Sequence, residues 1–274
     1  MTPGTPGSPA TPPGATRREV PGVVLGAAGL AGLAALLEVV PRAGLVDARF
    51  LPPFSHMAAA LGDQLGSAAF WPALTATLRG WSTGLAIAMV AGVTLGIVIG
   101  SVPVLRAATS STIEFLRPIP SVALIPLAVL LFGTDPRSTL ILVVYASFWQ
   151  VLVQVLHGVA DVDPVARDTA RSYRFSPWTQ VRTVVWPTAL PYVMTGFRLA
   201  AAVALILEIT GELVIGSPGL GKSIAVAQSS GAVAAMYALV IVTGLIGVAV
   251  NLLVRATERR VLRWHPSVRG EVTA

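Results

Sequence analysis

The chain has 274 residues, 54% of them hydrophobic and 12% charged, with a mean hydropathy of +0.75. A soluble globular domain is about a quarter charged, so this chain cannot cover itself with polar surface and composition points to an integral membrane protein. The net charge of +6 comes from eighteen arginines and one lysine. In such a chain it matters for where it falls and is not taken as a nucleic-acid surface; the absence of cysteine excludes disulfides and thiolate metal sites.

Residues 1–21 are rich in Pro, Gly, Thr and Ser without apolar periodicity, which predicts a disordered tail. No small-residue cleavage site follows a short apolar core, so this is not a secretory signal. A bilayer core of about 30 Å needs roughly 20 apolar residues as helix. Six segments qualify: 22–40, 76–102, 112–132, 138–158, 184–214 and 233–254. Glu38 is expected to end the first of them early.

Between the first two spans, FLPPFSHMAAALGDQLGSAAFWP predicts a short helix capped by Ser55. Met57, Leu61, Leu65 and Ala68 fall on one face, so it is expected to lie on the membrane surface with Trp71 at the interface. Gly84, Gly92, Gly96 and Gly100 crowd the second span at small-xxx-small spacing, a signal for close helix contact. Pro118, Pro120 and Pro126 fall near or within the third span. Proline removes helix hydrogen bonds, and a broken helix there is a candidate wall for a translocation pathway.

The longest polar interruption is DVDPVARDTARSYRFSPWTQVRT, residues 161–183. Asp163-Pro164 and Ser176-Pro177 each pair a capping residue with a proline suited to the first turn, so two helices start there. Tyr173, Arg174 and Phe175 must turn the chain between them. Val165, Thr169 and Tyr173 share a face of the first helix, with Arg167, Asp168 and Arg171 around the rest. Pro187 and Pro191 mark entry into the fifth span. Six spans place both termini on one side, and that side collects twelve arginines against four basic residues opposite. The positive-inside bias makes it the cytoplasm.

In the fifth span Glu208 and Glu212 lie four apart on one face. Acids in hydrocarbon are costly and should face the protein interior or a wet cavity, either lining the pathway or anchoring the span to a neighbour. Arg117 and Arg198 are expected to pair with acids or snorkel, Glu114 being a plausible partner for Arg117. GSPGLGKS, residues 216–223, fits the phosphate-binding pattern GxxxxGK[ST] at every position. That pattern needs a preceding strand and a soluble α/β domain, whereas a membrane-length apolar segment precedes this one. It therefore reads as a turn, with no nucleotide or other cofactor expected on this chain. His56, His157 and His265 are scattered and form no metal or catalytic constellation.

Three stretches resemble the permease subunits of ABC importers, in that family's order. ARDTARSYRFSPWTQVRTVVWPTALP is similar to their cytoplasmic coupling motif: Asp168, Thr169 and Ala170 stand at its Glu-Ala-Ala positions, and Trp186-Pro187 stands where Leu-Pro is usual. FLRPIPSVALIPLAVLLFG and GELVIGSPGLGKSI resemble third-span and end-of-fifth-span signatures of the sulfonate, taurine and nitrate branch. The resemblance implies an all-α type I importer transmembrane domain over residues 22–255, with coupling loop 161–183 and a basic cytoplasmic tail, 256–274. It implies a place in a bacterial cell membrane and a role without enzymatic activity. The implied partners are two ATPase subunits, a second permease copy and an extracytoplasmic binding protein that delivers a small polar solute such as a sulfonate, taurine or nitrate. A secondary transporter or channel independent of ATP is the alternative.

Under this resemblance Asp168, Thr169, Ala170, Arg171, Tyr173 and Arg174 would couple to the ATPase, and Glu208, Glu212, Pro118 and Pro120 would belong to the pathway. Arg171 and Arg174 would meet acidic groups, and Ala170 would allow close approach, so that Ala170→Asp or Ala170→Trp would abolish transport. Arg174 occupies a position where the family has glycine. A left-handed conformation there would cost arginine roughly 1 kcal/mol.

Overall fold

The computed structural model describes residues 22–264; the 1–21 tail, His265 and Arg269 lie outside the described residues. The chain divides into two compact units, one up to Phe54 and one from Ser55 onward. The first contains α1 (Gly22–Arg42), which runs past Glu38. Glu38 does not end the helix, because it pairs one turn on with Arg42 at 2.5 Å. Helix α2 (Phe54–Gly66) begins at the division, one residue before Ser55, so Ser55 lies within it and is not its cap. Met57 is buried and Leu61 packs near Phe70, but Leu65 is exposed and Ala68 lies beyond the helix, a narrower apolar face than expected.

The centre of the second unit is three long helices: α3 (Phe70–Ser101), α6 (Pro136–Ala160) and α9 (Trp186–Ile215). The glycines of α3 set the first contact. A Cβ on Gly92 would stand 2.8 Å from Val151, on Gly96 2.6 Å from Val155, and on Gly100 2.9 Å from Val159. Only hydrogen in place of a side chain lets the valine ridge of α6 lie this close. These pairs advance together along both helices, so α3 and α6 run parallel. Helix α9 is antiparallel to both: Gly158 meets Ala189 and Tyr192 at one end of α6, and Gly211 meets Thr139 at the other. Trp81 Nε1–H donates to the Ala201 carbonyl at 3.0 Å, tying α3 to α9.

Parallel α3 and α6 oblige the intervening chain to recross. It does so as two pieces, α4 (Pro103–Leu116) and α5 (Ile125–Phe132), joined through a 3-10 turn, Ser121–Leu124. The third span, expected over 112–132 with a break at its prolines, is such a broken pair, bent by 82° and beginning earlier, at Pro103. Pro118 and Pro120 supply the physical reason: neither can donate the hydrogen bond that would continue α4, whereas Pro126 sits in the first turn of α5, where no donor is needed. Tyr145 of α6 holds the bend by donating to the Leu116 carbonyl at 2.7 Å.

Beyond α9, Gly216 takes the left-handed conformation (φ +82°) and its N–H closes on the Glu212 carbonyl. Helix α10 (Leu220–Ser229) then bends away by 42°. It packs through Leu220 and Ile224 against Phe70 and against Leu239 and Val242 of α11 (Val233–Val261). Among the described residues α1, α3, α6 and α11 are each long and apolar enough to cross a membrane, and counting each bent pair as one span brings the total to six.

Candidate functional site

Two polar regions stand at opposite ends of the α3–α6–α9 core. The first is the 161–183 loop, where both predicted helix starts are observed. In α7 (Pro164–Ser172) the Asp163 carboxylate accepts from the Val165 N–H at 2.8 Å. In α8 (Pro177–Gln180) Ser176 Oγ accepts from the Thr179 N–H at 3.2 Å. Helix α8 passes into α9 through one π turn, Val181–Val185, in which the Trp186 N–H reaches back to the Val181 carbonyl. This wide turn lets the helix continue across Pro187 without a break.

Arg174 does take the left-handed conformation, with φ +54°. The Phe175 N–H reaches the Ala170 carbonyl at 3.0 Å and the Arg174 N–H the Arg171 carbonyl at 2.8 Å, the paired bonds of a Schellman turn. Arginine therefore carries the strain that glycine would avoid. Arg174→Gly is expected to stabilise the chain by about 0.5–1 kcal/mol, after the added freedom of the unfolded glycine is allowed for. A higher unfolding midpoint of the purified protein checks this; a lower one overturns it.

The loop is braced on the core. Arg167 Nη2 donates to the Val159 carbonyl at the end of α6 at 3.2 Å, and Tyr192 of α9 donates to Asp161 Oδ2 at 2.9 Å. Ala170 is 4% exposed, buried where α7 meets the π turn. Its small side chain packs within the chain, so substituting it would disturb α7 directly. Asp168 and Arg171 are exposed and form a loose pair at 3.4 Å. Thr169 is exposed and bonds back to the Val165 carbonyl. Val165, Tyr173 and Trp178 present large apolar surface outward, at 71%, 75% and 72% exposure. No local signal in the sequence separates Trp178 from an ordinary first-turn residue.

The second region lies where α9 meets α10. Glu212 is fully buried and accepts from Thr77 Oγ1 at 2.7 Å and from the Gly221 N–H at 2.8 Å. Thr77 in turn accepts from the Leu220 N–H at 2.9 Å. The carboxylate therefore sits at the N-terminus of α10, where unpaired N–H groups and the helix dipole favour an anion. This explains the phosphate-loop pattern: a helix, not a strand, precedes it, and the turn that would cradle a phosphate holds the chain's own Glu212, through the Gly221 N–H and Thr77. Glycine is needed beside it, since a Cβ on Gly219 would fall on the Glu212 carboxylate and one on Gly221 would meet Leu213 N at 2.8 Å. Thr139 Oγ1 and Ser217 Oγ share a hydrogen bond at 2.7 Å nearby. Thr77 and Thr139 are remote in sequence from Glu212 and Ser217, and no local pattern marks them.

Glu208, one turn before Glu212, is also buried but is not satisfied in the same way. It is separate from Pro118 and Pro120, which are exposed in the α4–α5 bend. Arg198 pairs with Glu258 of α11. Arg117 does not pair with Glu114; both line a small cavity with Arg106 and His157.

Residues 92–263 match the family described as binding-protein-dependent transport system inner membrane component. The chain is 32% identical to the taurine transport system permease protein TauC of Escherichia coli K12, over 86% of this chain and 89% of that protein. It is 26% identical to the putative aliphatic sulfonates transport permease protein SsuC of Bacillus subtilis 168, over 86% of each. The nitrate import permease protein NrtB of Leptolyngbya laminosa is 26% identical over 70% of this chain and 69% of its own length. Among solved structures, the inward-facing MetNI methionine ABC transporter aligns with a TM-score of 0.53 at 18% identity, covering 69% of this chain and 98% of that one. An amino acid ABC transporter aligns at 0.54 and 21% identity, covering 69% and 92%. These last two likenesses concern the fold.

Proposed function

Because the chain belongs to the binding-protein-dependent transport system inner membrane component family, and is a multi-pass ABC importer permease with the type I transmembrane fold, we propose how it works within such an importer. Two copies enclose the pathway. The 161–183 loop and both termini face the cytoplasm, as the arginine bias supports. ATP is hydrolysed on separate subunits, and an extracytoplasmic protein delivers the solute. The cargo is a small polar solute of the kind named for its relatives: taurine, an aliphatic sulfonate or nitrate.

One observation carries the coupling role: the α7–α8 element is capped, strained at Arg174 and braced at Arg167 and Asp161, yet turns Val165, Tyr173 and Trp178 outward without covering them. Exposed aromatics on a rigid projection are what a partner groove takes as anchors. Closure of paired ATPase subunits would push α7, and the bracing would pass that motion into α6 and α9 as rigid-body rocking.

The test is to isolate the complex from its host and identify the ATPase that accompanies it. Tyr173→Ala and Trp178→Ala are each expected to weaken ATPase capture by on the order of thirtyfold, the size of an interface anchor. The folded permease should remain, since both side chains are exposed. Solute uptake driven by an ion gradient without ATP would defeat the reading.

A further inference from the structure

Glu208 is 5% exposed, and its Oε2 has no hydrogen-bond partner. The contrast with Glu212, one turn away and fully satisfied, is sharp. Space for the unpaired carboxylate is nevertheless kept open: a Cβ on Gly80 of α3 would fall on it. Burying a carboxyl without partners is costly, and a partner from outside the chain would relieve it.

A cavity of about 350 Å³ lies against it, lined also by Arg79, Gly80 and Arg137. Both arginines are exposed. Arg79 has no acid within ion-pair distance among the described residues, and Arg137 has only Asp135 at 3.8 Å. The lining therefore offers one unsatisfied carboxyl and two under-used guanidinium groups. A simple anion would meet the arginines but face Glu208, and a simple cation would face the reverse. A molecule carrying both charges satisfies all three, and the volume, near the lower bound for ligand pockets, requires it to be compact.

We propose that this cavity is a subsite for a compact zwitterion, with an ammonium facing Glu208 and an oxyanion facing Arg79 and Arg137. The inference rests on the permease reading and narrows its substrate class. The same chemistry occurs in a free amino-sulfonate and in the phosphoethanolamine headgroup of a lipid.

Binding to the purified full chain by calorimetry would use three probes: 2-aminoethanesulfonate, ethanesulfonate lacking the ammonium, and ethylamine lacking the oxyanion. The zwitterion is expected to bind at least about tenfold more tightly than either half. Glu208→Gln, close to isosteric, should reduce it to the level of ethanesulfonate. Arg79→Gln and Arg137→Gln, at exposed positions that leave the fold intact, should weaken it as well. Native mass spectrometry supplies the other arm: phosphatidylethanolamine retained by the wild type and lost in Glu208→Gln assigns the same chemistry to a headgroup. Equal binding of the two sulfonates, zwitterion binding unchanged in Glu208→Gln, or no binding of either source overturns the proposal. ATPase capture by the wild-type chain is scored separately, so failed zwitterion binding with capture intact sinks the subsite alone.

Discussion

Replacing Glu212 by alanine is expected to cost the folded protein about 3 kcal/mol or more, from two buried donors losing their acceptor and a cavity opening beside them. The side chain is fully buried and accepts from Thr77 Oγ1 and the Gly221 N–H, so its loss strands groups on α3 and α10 together. The unfolding midpoint of the purified chain should fall by roughly 5–10 °C. Glu212→Gln keeps one carbonyl acceptor and should fall between. Lys222→Ala supplies the contrast: Lys222 is exposed on α10, and its removal should stay within about 0.5 kcal/mol. In a phosphate loop the lysine would instead act on bound nucleotide, reaching its phosphates. A Glu212→Ala protein with the wild-type midpoint would refute the anion-cradle account of residues 216–223.

The second large effect is expected from Gly96→Leu. A Cβ alone at this position already stands 2.6 Å from Val155 Cγ1 and 2.7 Å from Val155 Cβ. A leucine must push α3 off α6, and because Gly92 and Gly100 make equivalent contacts with Val151 and Val159, the displacement breaks the whole seam. Overpacking commonly costs about 1–3 kcal/mol where a core can adjust, and more is expected here because the obstacle is a helix-to-helix contact. Leucine at Gly26, which has nothing within 4 Å of an added Cβ, is the control for hydrophobicity alone. Folded yield by size-exclusion chromatography separates the two. Equal yields would show that the α3–α6 contact is looser than these glycine–valine distances require.

Much of the coupling element was readable from local chemistry. Asp163-Pro164 and Ser176-Pro177 cap helices by interactions within two or three residues, so the sequence alone announces them. The strain at Arg174 was likewise foreseeable, since the left-handed position belongs to the turn itself. The burial of Ala170 was not: it depends on the π turn after α8, and nothing near Ala170 encodes that. The break in the third span was legible too, since Pro118 and Pro120 remove donors that a straight helix requires; its start at Pro103 was not, because hydropathy alone does not mark where a bent pair begins.

Composition and period settle whatever depends on solvent. Too few charges to face water oblige the chain into a bilayer, and apolar runs of about 20 residues become helices because no other single segment satisfies its backbone there. The glycine spacing in α3 likewise states that a helix must approach closely. Which helix approaches, and in which direction, is decided only by the valine ridge of α6 lying parallel to it. The same holds for the two acids of α9. Their spacing places them on one face, but their different fates come from residues distant in sequence. Thr77 and the Gly221 N–H of α10 satisfy Glu212, while Gly80 and the Arg79–Arg137 cavity leave Glu208 open. A buried charge is defined by the donors that surround it, and those donors converge only when the helices pack.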